Sequence, residues 1–430
     1  MFIEFTVGNF LSFKDPVTLS MVAANTKARD QIINENNSIH IDEKLTLLTS
    51  TAVYGANASG KSNLIRAISF MRRHVLSSSK ESVIDEPIRT IPFRLSTATE
   101  NQPSFFQISF LMENVKYRYG FEANRKEIVS EWLFSAPSVK ESRLFVRDET
   151  GIHVSPRGFK EGKGLEEKTR PNALFLSVVA QWNGQLAGKL LGWFQSLNII
   201  SGLNDKAYKG FTLDAFENGK FRQEIVKLVK SLDLGIEDIS SKRMGDEQFK
   251  VFFPENVPPD VLKMLMKQAE SERVSIQTAH KKFDENGRTV ELEIFNLHSE
   301  ESDGTEKLFY MTGPLLDVLS KGSILFIDEM EARLHPLITR ALIGLFNSKE
   351  NNPKGAQLVC TTHDTNLLSN KLFRRDQIWF SEKDHFGCSH LYSLAELKVR
   401  NDASFESEYF EGRYGAIPFL GNVRQVVIEE

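Results

Sequence analysis

The chain has 430 residues, 41% of them hydrophobic and 26% charged, which suits a soluble globular protein with two or three packing units. A formal net charge of −4 gives no bulk attraction to nucleic acid. No apolar run reaches the roughly 18 residues of a membrane span, and Cys360 and Cys388 make neither a disulfide framework nor a metal-ligand pair, so reduced thiols in a cytoplasmic protein are expected.

Residues 1–21 read as one or two strands, with Phe2, Phe5, Val7, Phe10 and Phe13 at the apolar positions and Gly8-Asn9 interrupting them. Residues 45–54 form a β-rich apolar run that stops at Gly55. Beyond it Leu64, Ile65, Ile68 and Met71 share one helical face. Residues 104–122 alternate as a strand pair with a turn near Asn114. The middle, to about residue 285, is expected to be largely helical, with helices over 172–197, 220–233 and 257–275. From 288 the β-rich pattern returns: a strand over 288–297, an apolar helix from about Glu306 bent at Pro314, and short apolar runs at 323–328 and 357–362. Runs of that kind are expected of strands buried on both faces of a parallel sheet.

Residues 55–62 read Gly-Ala-Asn-Ala-Ser-Gly-Lys-Ser, between a predicted strand and a predicted helix. Glycines let backbone N–H groups curl around a phosphate, and the helix start adds a favourable dipole. Gly55, Ala56, Asn57, Ala58, Ser59, Gly60, Lys61, Ser62 and Asn63 are the expected nucleotide-binding residues. Lys61 is assigned to the β- and γ-phosphates, and the Ser62 hydroxyl to magnesium. Ile324–Glu329 is an apolar strand that ends in two carboxylates. Asp328 is placed with Ser62 at the metal, and Glu329 at the attacking water. Ser302 and Gly304 open the apolar helix, where a hydroxyl and backbone N–H groups suit a phosphate; a helix cap explains them as well. His363 ends the second apolar strand and faces the ligand crevice of an α/β sheet.

The order GxxxxGKS, Ser-x-Gly, apolar-Asp-Glu and His resembles the ATP-binding-cassette type of ATPase. Within that type it is similar to the SMC-like branch, with the RecF recombination proteins and the ATPase half of OLD-family nucleases. It also resembles the stand-alone ATPases of bacterial abortive-infection and anti-phage systems. The segments that carry the likeness are VGNFLSFKD (7–15), GANASGKSNLIRAI (55–68), PFRL (92–95), YRYGFE (117–122), ESDGTEKL (301–308), IDEMEARLHP (327–336), TTHD (361–364) and GRYGAIP (412–418). The resemblance implies an α/β fold: a mixed sheet flanked by helices, an antiparallel β edge lobe and a largely helical insertion. Its parts would be an N-terminal ATPase lobe (1–135), the insertion (136–285) and a C-terminal ATPase lobe (286–430). It implies ATP and Mg²⁺ as cofactors and hydrolysis to ADP and phosphate. Ser302 and Gly304 would contact the γ-phosphate across a head-to-tail homodimer or higher homo-oligomer. Residues 332–335 would be the D-loop, and His363 the switch histidine. The signature here is Ser-Asp-Gly-Thr rather than Ser-Gly-Gly-Gln, and only Gln102 and Gln107 are candidates for the Q-loop.

After His363 there is no Asp-x-Asp pair placed as in a Toprim nuclease and no Cys/His cluster. The expectation is therefore a cytoplasmic regulatory ATPase with a separate nuclease or toxin as effector, triggered by a phage protein or nucleic acid. The alternative is a DNA-repair or recombination ATPase that binds DNA itself, with FMRRH (70–74) and FRRD (373–376) as its best basic segments. A small-molecule kinase does not need Ser302 and His363. A membrane-transporter ATPase is disfavoured by the N-terminal strand and the large insertion.

Overall fold

The computed structural model describes residues 1–26, 28, 30–80, 86–138, 140–232, 235–243, 245, 258, 261, 273–400 and 403–418. It divides into two units. The first comprises Met1–Ile199, Gly322–Met330 and Leu342–Glu430; the second comprises Ile200–Lys321 and Glu331–Ala341.

The N-terminal half runs β1 (Phe2–Gly8), β2 (Val17–Ser20), α1 (Gln31–Asn36), β3 (Ser38–His40), β4 (Thr46–Leu48), β5 (Ser50–Tyr54), α2 (Lys61–Ser77), β6 (Ser104–Met112), β7 (Val115–Ala123), β8 (Ile128–Ala136), β9 (Ser142–Asp148) and β10 (Gly151–Val154). Next come α3 (Phe175–Gln181), α4 (Gln185–Gln195), β11 (Leu197–Ser201), α5 (Lys206–Glu217), α6 (Arg222–Ser231), β12 (Ile236–Arg243), β13 (Val274–Phe283) and β14 (Thr289–Asn296). The rest is α7 (Asp303–Lys321), β15 (Ile324–Asp328), α8 (Pro336–Phe346), β16 (Gln357–Thr361), β17 (Ile378–Lys383), β18 (Ser389–Ser393) and α9 (Phe405–Phe410).

In the first unit a seven-stranded antiparallel sheet is ordered β10-β9-β8-β7-β6-β1-β2. The β6–β7 turn has positive φ at both Glu113 and Asn114, the geometry that matches the twist of a tight hairpin. That register sets Phe106 opposite Phe121, Ile108 opposite Tyr119 and Phe110 opposite Tyr117. The stripe joins Leu64, Ile68, Met71 and Val75 of α2 in one buried core. Glu131 on β8, fully buried, accepts from the Phe175 and Leu176 N–H groups at 2.6 and 3.1 Å and from the Tyr119 hydroxyl at 2.9 Å. It thereby caps α3 from a distant strand; burial pushes its carboxyl upward, and these donors oppose that.

The second sheet has six strands in the order β11-β15-β16-β5-β17-β18. β15, β16, β5 and β17 run parallel, and β18 pairs antiparallel with β17. β5 and β16 are buried at every position, which accounts for their apolar or small side chains; the exception, Gln357, is bonded to the Phe2 N–H and to the Phe2 and Leu48 carbonyls. The apolar run at 45–54 therefore holds two strands: β4 turns away to pair with β3, and only β5 enters this sheet.

In the second unit β12, β13 and β14 form a three-stranded antiparallel sheet. Pro314 lies inside α7 and removes the N–H that Tyr310 would otherwise receive. The Thr212 hydroxyl of α5 donates to that Tyr310 carbonyl instead. Residues 136–285 hold α3 to α6 but also the five strands β9 to β13, so the stretch expected to be largely helical is mixed. There Phe145 and Val146 of β9 pair with Val154 and His153 of β10 in a hairpin. The helix expected over 257–275 lies almost wholly outside the described residues.

Candidate nucleotide site

β5 delivers the chain to Gly55 and α2 takes it up at Lys61. Gly55 has φ +153°, and a side chain there would run into the Ser381 carbonyl oxygen. Gly60, at φ +116°, is the cap position of α2 and has no side chain with which to satisfy the first-turn N–H groups. The loop's own geometry thus leaves a helix start open to an anion. Ser389 Oγ and Ser381 Oγ donate to the Ser59 carbonyl at 2.6 and 3.0 Å, bracing the loop from behind. Lys61 is 4% exposed, and its Nζ donates to the Gly55 and Ala56 carbonyls at 2.8 and 2.9 Å. A buried ammonium is thereby held over the loop that it is expected to serve. Asn63 gives its side-chain amide to Ser12 Oγ at 2.8 Å, tying α2 to the N-terminal segment.

The Ser62 hydroxyl donates to Asp328 Oδ1 at 3.1 Å, across 266 positions of sequence. A hydroxyl beside a carboxylate is a hard oxygen pair of the kind magnesium accepts, and that ion usually adds phosphate oxygens and waters. Among the described residues no group of three or more His, Cys, Asp or Glu side chains is placed to hold a metal ion. The Ser62–Asp328 pair itself suits a cation whose remaining ligands are phosphate oxygens and waters. Glu329 follows with φ +52°, a left-handed conformation that costs a non-glycine residue about 1 kcal/mol or more. Thr361 Oγ1 donates to Asp328 Oδ1 at 2.7 Å and accepts from the Glu329 N–H at 2.8 Å.

His363 is exposed just beyond β16. With Gly55–Ser59 it lines a cavity of about 770 Å³, whose other walls include Glu382, Tyr409, Phe410 and Ile417. The phosphate loop, Asp328, Glu329 and His363 thus all belong to the first unit, whereas Ser302 and Gly304 belong to the second. Ser302 caps α7: its Oγ accepts from the Thr305 N–H at 3.1 Å and its carbonyl accepts from the Glu306 N–H at 3.0 Å. A Cβ on Gly304 would lie 2.7 Å from the Arg333 carbonyl oxygen, so the helix start needs a residue without a side chain there. Lys307 strengthens the same junction by donating to the Ala332 carbonyl. The stretch read as the D-loop is therefore held against the start of α7 within one unit.

The other sequence candidates have structural partners. The Gln107 side-chain oxygen accepts from Arg118 and from Trp132, each at 3.1 Å, and the exposed Gln102 offers its carbonyl to Asn9. In FMRRH, Arg72 donates to the Phe194 and Gln195 carbonyls, whereas Arg73 is exposed. In FRRD, Arg374 is buried and bonded to Asp376, Asn34 and two carbonyls, and Arg375 donates to the Val399 carbonyl. Sequence reasoning does not single out Thr361, whose local signal is its place in TTHD, two positions before the candidate histidine.

Residues 50–369 match the protein family described as "AAA domain, putative AbiEii toxin, Type IV TA system". The chain belongs to that family. Its P-loop ATPase domain is thus identified by sequence as well as by the loop geometry. None of the curated proteins matches the chain. Among solved structures it is similar to an SMC head domain from Thermotoga maritima, at 12% identity and TM-score 0.38 over 93% of this chain and 99% of that one. A second is an SMC head bound to the C-terminal winged-helix domain of ScpA, at 13% identity and TM-score 0.37 over 91% and 97%. A third is an SMC head with an extended coiled coil bound to the C-terminal domain of ScpA derived from Pyrococcus furiosus, at 11% identity and TM-score 0.36 over 91% and 96%. Among the described residues no helix is long and apolar enough to cross a membrane.

Proposed function

We propose that this chain binds ATP with magnesium at Gly55–Asn63, hydrolyses it, and uses the cycle to control a separate toxic partner in an abortive-infection type of system. The observation that carries the ATPase reading is the contact of Ser62 with Asp328 at 3.1 Å. It joins the end of the phosphate loop to the acidic strand end, where a nucleotide-bound cation would sit. Ser62 and Asp328 would hold that ion, which neutralises developing phosphate charge. Lys61 would release its loop carbonyls and bond the β- and γ-phosphates. Glu329 would polarise the attacking water, and His363 would bond the γ-phosphate from the cavity that it shares with the loop. Ser302 and Gly304 would be presented by a second copy of the chain, through the N–H groups at the start of α7. The family description supports the toxin–antitoxin setting, and the effector would be a nuclease or toxin on its own chain. Direct recognition of nucleic acid is the weaker reading, because Arg72, Arg374 and Arg375 are bonded to protein groups.

Lys61→Ala tests the nucleotide reading. Losing a charge-assisted bond to phosphate should weaken ATP binding roughly ten- to hundredfold, measured by titration calorimetry with magnesium present. Binding at wild-type strength would sink it.

A further inference from the structure

We infer that Thr361 is a positioning residue for hydrolysis, a clasp that sets both carboxylates of the acidic strand end. The inference rests on the ATPase reading above. Thr361 closes β16 and is fully buried. It pairs with Val53 of β5, the strand that delivers the phosphate loop, and the Thr362 N–H continues that ladder to the Val53 carbonyl at 3.1 Å. On its other side Ile327 pairs with Cys360, so Thr361 falls level with Asp328.

From there it makes three bonds to three successive residues. Its Oγ1 donates to Asp328 Oδ1 at 2.7 Å. The same oxygen accepts from the Glu329 N–H at 2.8 Å. Its carbonyl accepts from the Met330 N–H at 3.2 Å. The first bond fixes the carboxylate that also receives the Ser62 hydroxyl. The second holds the turn that places Glu329 at φ +52°, a conformation kept only where its surroundings over-determine it. Two positions further on the chain carries His363. A single hydroxyl therefore links the metal-side carboxylate to the backbone of the water-side carboxylate. Hydroxyl chemistry is needed, because one atom must donate to an anion and accept from an N–H at once.

The test compares Thr361→Val, which keeps the shape and removes the hydroxyl, with Thr361→Ser, which keeps the hydroxyl. Misplacement of catalytic groups by about 1 Å costs on the order of a hundredfold in rate. Thr361→Val should therefore lower kcat roughly ten- to hundredfold, with ATP affinity in EDTA unchanged and the magnesium concentration for half-maximal turnover raised. Hydrogen exchange in the nucleotide-free chain should quicken at Glu329 in the Val variant. Thr361→Ser should restore rate, magnesium dependence and exchange. Unaltered ATP affinity in EDTA shows that the Val variant is folded at the loop. Wild-type turnover in Thr361→Val, or a Ser variant as slow as the Val one, overturns the positioning role and leaves the ATPase reading intact. Turnover indifferent to both Lys61→Ala and Thr361→Val overturns the ATPase reading, and this role with it.

Discussion

His74 shows how far one side chain's surroundings can depart from its appearance in sequence. FMRRH reads as a basic surface turn, yet the His74 ring stacks on Phe70 with centroids 5.7 Å apart and lies 5.6 Å from Phe121. Its Nε2 is buried without a hydrogen-bond partner, and burial pushes its pKa down to about 4. The unfolded chain takes up that proton near pH 6.5 and the folded chain only near pH 4. Stability is therefore full above pH 6.5 and is lost as the pH falls toward 4, by roughly 3 kcal/mol in all. Urea midpoints recorded across that range should fall for the wild type and flatten for His74→Leu. Equal slopes in the two would show that other groups carry the acid sensitivity.

The same distinction recurs at the level of elements. α2 is legible from its apolar spacing and its glycine cap. The start of α7 is legible as well, but the packing reason for Gly304 is not. Its missing side chain admits the Arg333 carbonyl, and Lys307 and Ser302 secure the junction. Gly304→Ala should destabilise the second unit by about 1–3 kcal/mol through that backbone clash. Ser302→Ala, which removes a cap, should cost about 1 kcal/mol. Thermal melting of both variants without nucleotide checks this. An unchanged midpoint in Gly304→Ala would mean that the turn at Arg333 yields without cost.

For the whole molecule, the question is whether ATP brings two copies together. Glu329→Gln keeps the shape of the side chain but cannot polarise water as a carboxylate does. Turnover should fall by two to four orders of magnitude, roughly the contribution of a general base, while ATP binding persists. Light scattering with ATP and magnesium should then show a stable doubling of mass. A monomer under those conditions would remove the composite site from the reading, though not the nucleotide loop.

Much of this protein is written locally. Gly55–Ser62 is a phosphate loop because eight consecutive residues set both its backbone freedom and its helix start. β5, β15 and β16 are recognisable because strands buried on two faces are mainly apolar or small. What only the tertiary structure decided are relations between distant positions. Ser62 meets Asp328 across 266 residues, Thr361 clasps Asp328 and Glu329, and Arg374 reaches Asn34 and the Ala24 carbonyl. Local pattern states which residues prefer burial and which prefer a turn. It does not contain the strand order and register that choose their partners, and those choices turned a phosphate loop into an organised candidate site.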